Sequence, residues 1–161
     1  MPDLQTIIDQ FVKRWNVNEE LIQATDSEIE QVESTLEIFI PEGYKQLVLK
    51  YGDIYTPDLL EAIVGQDIEY PDVQNFSLPK QALKDTKVYI DAGMPGGYLG
   101  FASDSMGNLF CFSIEDCKEK TSGGPVWFFD HDFVEIYKLA DSFEDWLTMY
   151  VEINKDTNKN L

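Results

Sequence analysis

Tyr98-Leu99-Gly100-Phe101-Ala102-Ser103-Asp104-Ser105-Met106-Gly107-Asn108-Leu109-Phe110-Cys111-Phe112-Ser113 is the stretch on which the fold turns. Two aromatic-rich runs, Tyr98 to Ala102 and Leu109 to Ser113, flank a polar segment whose Asp and Gly-Asn are turn formers. The pattern predicts an antiparallel hairpin with a loop of several residues. Downstream, Val126-Trp127-Phe128-Phe129 reads as a third strand and Glu135 to Leu139 as a fourth. The chain then closes on a helix capped by Asp141 or Ser142, with Phe143, Trp146, Leu147, Tyr150 and Val151 on one face.

Upstream, the period is that of helices. Leu4, Ile7, Ile8, Phe11, Val12 and Trp15 fall on one face of a first helix. Thr25-Asp26-Ser27-Glu28 predicts a capping box, with Glu28 reaching back to the cap, and a second helix turning Ile29, Val32 and Leu36 inward. Pro41 is expected at the first position of a third helix, whose face is Tyr44, Leu47, Val48 and Tyr51 and whose C′ residue is Gly52. Between these blocks, Leu59 to Val64 reads as a strand, Pro79 to Lys84 as a short helix and Val88-Tyr89-Ile90 as another strand. Gly93 to Gly97 is a loop. Helices, then an antiparallel meander, then a closing helix make an α+β fold in one domain over 1–153, with a polar tail at 154–161 expected to fray.

Composition narrows the function. Of 161 residues, 43% are apolar, enough for a substantial core, and 30 Asp and Glu oppose 12 Lys and Arg for a net −18. Such a chain repels phosphate backbones and anionic lipid, which excludes nucleic acid and membrane surfaces and favours basic partners. Residues 1–75 hold 16 acids and 4 bases, so the acidity is concentrated there. Met1-Pro2-Asp3-Leu4 lacks a basic region followed by an apolar run, and no window is apolar enough to span a membrane, so a cytoplasmic protein is expected. Cys111 and Cys117 have no metal-type spacing.

These residues resemble the SUKH superfamily, the Smi/Knr-type proteins, at three places. Ser27 to Gly52 places a glutamate-rich helix before Ile40-Pro41 and Tyr44, ending at Gly52. Gly100-Phe101-Ala102-Ser103-Asp104 with Gly107-Asn108 and Phe110-Cys111 is similar to the family hairpin. Pro125 to Asp132, including Asp130-His131-Asp132, followed by Ala140-Asp141-Ser142-Phe143 and Trp146-Leu147, resembles its closing strand, turn and helix. The resemblance covers roughly 25–150 but aligns little within 53–97. It implies an immunity protein that neutralises a cognate toxin of a bacterial polymorphic toxin system, with no catalytic residues and no cofactor. It also implies a basic toxin domain as partner, nucleases among the candidates. Eukaryotic regulatory members of the superfamily make a protein-interaction module the alternative.

Few residues offer a competing chemistry. Asp130-His131-Asp132 holds the only histidine. With Asp104 it is the one conceivable centre for a metal-dependent hydrolase, but a single His and no ligand-spaced Cys favour a strand-end turn. No metal and no catalysis are expected. Glu30, Glu33 and Glu37 recur at i, i+3, i+7 with no Lys at i+4, a like-charge stripe that reads either as a solvated face kept soluble by charge or as a surface that steers a cationic partner. Asp67, Glu69 and Asp72 form a second acidic candidate. Tyr55, Tyr70 and Phe76 lie in the same weakly patterned region as candidate interface anchors.

Overall fold

The computed structural model describes residues 2–119 and 124–155. Helix α1 (Leu4–Trp15) opens the chain, capped by Asp3, whose carboxylate accepts from the Thr6 amide. Helices α2 (Asp26–Leu36), α3 (Glu42–Lys50) and α4 (Asp58–Gly65) follow, then a two-residue strand β1 (Asn75–Phe76) and helix α5 (Pro79–Asp91). Strands β2 (Tyr98–Ser103), β3 (Leu109–Ser113), β4 (Val126–Asp130) and β5 (Glu135–Ala140) complete a five-stranded antiparallel sheet in the order β1-β2-β3-β4-β5. Helix α6 (Phe143–Val151) closes the fold, its Ser142 cap accepting from the Asp145 amide. The fold is α+β.

Strand alternation divides the sheet into two faces. Phe101, Phe110, Phe112, Val126 and Phe128 point into the main core, shared with α1, α3 and α6. Leu109, Cys111 and Phe129 point the other way, into a smaller cluster covered by Met94 and Tyr89. Aromatic rings fill the main core. Phe101 and Phe112 stack with centroids 4.1 Å apart, and Trp146 meets Phe101 edge-on at 5.3 Å. The buried polar tips find partners: Trp15 Nε1 donates to the Tyr150 carbonyl at 3.0 Å and Tyr44 Oη to the Ser77 carbonyl at 2.6 Å.

A register shift at Gly100 joins the sheet to α5. Just before the shift, the Gly100 amide donates to the buried Thr86 Oγ1 of α5 at 2.8 Å. Two segments differ from the strands that their sequence predicts. Pro79 opens one helix that runs through Val88-Tyr89-Ile90 to Asp91, so no strand forms there. Tertiary packing of Ala82 and Thr86 keeps the β-branched residues helical. Leu59 to Val64 is likewise helical, burying Leu59, Ala62 and Ile63 at i, i+3, i+4. Leu60 and Val64 on its exposed side disguise that period. Pro41 stands just before α3 as its cap residue rather than inside it. Residues 154 and 155 are tied down, with Lys155 Nζ donating to the Arg14 carbonyl at 2.7 Å; the rest of the expected tail, 156–161, lies outside the described residues. No helix among the described residues is long and apolar enough to cross a membrane.

Candidate functional site

The β2–β3 turn is organised around buried Asp104. Its Oδ1 accepts from the Met106 and Asn108 amides at 2.9 and 2.8 Å, and its Oδ2 accepts from Asn108 Nδ2 at 2.9 Å. Gly107 takes φ +85°, the left-handed conformation the turn requires. Asp130 does the same for the next turn, its Oδ1 accepting from the Asp132 amide at 3.0 Å and the Phe133 amide at 3.4 Å. Strand β4 ends at Asp130, so Asp130 and Asp132 are not presented together on a strand face. His131 joins the two turns. Its amide donates to Asn108 Oδ1, and its Nε2 lies 2.8 Å from the Met106 carbonyl. A carbonyl only accepts, so that nitrogen carries the proton. Nδ1 is 3.5 Å from Asp132.

These bonds commit the Asp104 carboxylate, one Asp130 oxygen and His131 Nε2 to the backbone and side chains of the two turns. Among the described residues, no group of three or more His, Cys, Asp or Glu is placed to hold a metal ion. The thiols are not activated either. Burial pushes the Cys111 pKa well up, and burial with the Asp116 charge pushes Cys117 up to about 11, so both stay protonated near neutrality.

The acidic candidates separate by their partners. Glu30 is exposed on α2. Glu33 is not free: its Oε2 accepts from the Ile40 amide at 2.8 Å and lies 3.6 Å from Lys45 Nζ. The relieving lysine is absent at i+4 but arrives from α3. Glu37 has left the helix as its C-cap residue, at φ 55°, and is exposed. The stripe expected from the i, i+3, i+7 spacing is therefore broken. Asp67 and Glu69 are exposed beyond α4, whereas Asp72 is 5% exposed and faces inward. The Asp72 oxygens accept from the Ser105 amide at 3.1 Å and from Ser105 Oγ at 3.0 Å, so it braces the hairpin and offers no surface charge. Burial, opposed by those Ser105 bonds and reinforced by nearby Asp104, raises its pKa.

The capping box forms only in part. Thr25 Oγ1 accepts from the Glu28 amide at 3.1 Å as expected, but the Glu28 carboxylate turns outward to the Lys80 amide at 2.9 Å. It thereby supplies the first turn of α5, whose own cap residue, Leu78, has no side-chain acceptor. Nothing local in the sequence signals this long-range cap. Of the candidate anchors, Phe76 is core at 4% exposure, Tyr70 is half-buried with its hydroxyl on the Met149 carbonyl, and Tyr55 alone is exposed. Pro41, Tyr44, Gly52, Phe143 and Trp146 are buried scaffold residues.

Together the fold and these bonds define an α+β protein whose conspicuous polar residues build turns and caps, leaving scattered carboxylates outermost. The chain belongs to the SMI1 / KNR4 family (SUKH-1), which matches residues 23–149. The matched span brackets 53–97, which holds α4, β1 and α5; α1 precedes the span and packs on α6. No curated protein matches the chain.

Proposed function

We propose that this protein is a non-catalytic immunity protein that binds and neutralises a cognate, basic toxin domain. The observation that carries the reading is membership of the SUKH-1 family across 23–149. The net charge of −18 supports a cationic partner, because complementary charge accelerates encounter and disfavours wrong partners. Glu30, Glu37, Asp67 and Glu69 are the steering residues in this reading, each exposed and none ion-paired with Lys or Arg among the described residues. The role requires no acid–base residue, cofactor or metal, and it is exercised in the cytoplasm, where the toxin would act.

The test is a low-salt pull-down from the native cell, followed by co-expression of the captured partner in a host. The expected partner is a basic protein that arrests growth alone and is silenced by this one. Changing Glu30, Glu37, Asp67 and Glu69 to Lys is expected to slow association about tenfold at low salt, less as salt rises. A harmless cellular protein as sole partner would overturn the immunity reading in favour of a regulatory module.

A further inference from the structure

Three elements meet on the smaller face of the sheet without covering it. The C-terminal half of α5, the β2–β3 turn and the β4–β5 turn enclose a groove of about 450 Å³, lined by Val88, Tyr89, Met106, Phe129, His131 and Val134. Three of these wall residues are large apolar side chains in water: Val88 is 64% exposed, Met106 69% and Val134 55%. Phe133, beside Val134, is 73% exposed. Isolated exposed apolar residues need no explanation, but a cluster around one concavity marks a binding surface.

The groove is preformed. Tyr89 Oη donates to the Gly107 carbonyl at 2.7 Å, and His131 Nε2 donates to the Met106 carbonyl, so two hydrogen bonds hold α5 and both turns around it. A rigid site loses less conformational freedom on binding. Val134 has φ 52°, a left-handed conformation unfavourable for a β-branched residue where Gly or Asn would sit without strain. That strain is retained at a position that adds an apolar wall.

Charge identifies the occupant. Asp91 ends α5, Asp132 lies within the β4–β5 turn and Glu135 follows it at the start of β5; all three are exposed and none pairs with Lys or Arg among the described residues. On α5, Lys87 lines a separate cleft with Leu36 of α2, and Lys84 stands one turn before Val88. An apolar cleft whose lining residues Ala92, His131 and Val134 each adjoin an exposed carboxylate in sequence fits an apolar side chain flanked by cationic residues.

We propose that this groove is the docking site for an apolar side chain carried on a Lys/Arg-rich segment of the partner protein. The identity of that partner as a toxin rests on the immunity reading; the location and chemistry of the site do not. A random-peptide display selection on the purified protein at low salt supplies the probe, and the most enriched peptide is synthesised and titrated by fluorescence anisotropy. Enriched peptides are expected to carry Leu, Ile, Phe, Met or Trp beside Lys or Arg, and to bind more weakly as salt rises. Val88→Glu and Met106→Glu, both at exposed positions, are expected to weaken binding more than about tenfold, with thermal unfolding confirming that each variant is folded. Ile22→Glu, an exposed position beside Gly52, is expected to leave binding unchanged.

Failure to enrich such peptides, indifference to both groove variants, or a wild-type dimer that Val88→Glu dissociates would overturn the proposal. A toxin captured equally by wild type and Val88→Glu would remove the groove and leave the immunity reading standing. Groove-dependent peptide binding with no toxin partner would do the reverse.

Discussion

Gly52→Ala tests whether the corner after α3 is held by backbone contact. Gly52 has φ +102°, and a Cβ there would overlap the Ile22 carbonyl oxygen and lie 2.5 Å from its carbon. The conformation alone costs a non-glycine residue about 1–3 kcal/mol. The clash cannot be relieved by rotating a side chain, because the obstructing atoms are backbone. Moving Ile22 away weakens its amide's 2.8 Å bond to Asp53 Oδ1 and the Asp53 amide's 3.3 Å bond to its carbonyl. Each is worth about 1 kcal/mol net, so the total loss is about 3–5 kcal/mol. That is a large share of the roughly 5–15 kcal/mol that holds a domain folded, and it lowers the melting temperature by roughly 10 °C. Urea unfolding followed by tryptophan fluorescence measures it as a lower midpoint at unchanged slope. Two controls divide the contributions. Gly93 has φ +120° with nothing within 4 Å of where a methyl group would stand, so Gly93→Ala carries the conformational cost alone. Gly96, with neither constraint, is expected to tolerate Ala. A Gly52→Ala variant no more destabilised than Gly93→Ala would refute the backbone clash.

Two further outcomes distinguish structural from surface carboxylates. Glu33→Gln is expected to destabilise by about 1–2 kcal/mol, because it removes the charge facing Lys45 and weakens the acceptor for Ile40, while Glu30→Gln stays within about 0.5 kcal/mol. Equal effects in denaturant unfolding would contradict the separation of the glutamates. Asp72 carries a pKa raised above its ordinary 3.8, chiefly by burial, so its favourable contribution is complete below 3.8 and is lost as pH rises through the folded value. Asp72→Asn does not ionise, so its stability relative to wild type is expected to climb through that acidic window and then level off. Unfolding curves across a pH series check this, and a difference that is flat or falls with pH would refute it.

Whatever depends on neighbours in sequence is legible in the chain. The helix of Leu4 to Trp15, the Ser142 cap and all four main strands emerge from period and turn chemistry, with bounds within a residue or two. Asp104 and Asp130 are recognisable as turn builders because an Asp two residues before an amide satisfies it locally. The two misread segments share one cause. Leu59 to Val64 and Val88 to Ile90 look like strands because apolar residues stand on their solvent sides, which erases the helical period. At Val88 that exposed apolar residue is also a wall of the groove, so the local misfit coincides with the surface proposed to bind.

Charge follows the same division. The excess of acid and its concentration in the first half are properties of composition, and sequence alone determined them. Which carboxylates face water was decided by tertiary structure. Glu28 caps a helix 52 residues away, Glu33 meets a lysine of the next helix and Asp72 holds a turn 33 residues on. A carboxylate's partner is set by distance in space, and the helical spacing of three glutamates could not report a bond made by another element. The groove belongs wholly to that second category, since its walls come from α5 and two turns brought together only by the folding of the sheet.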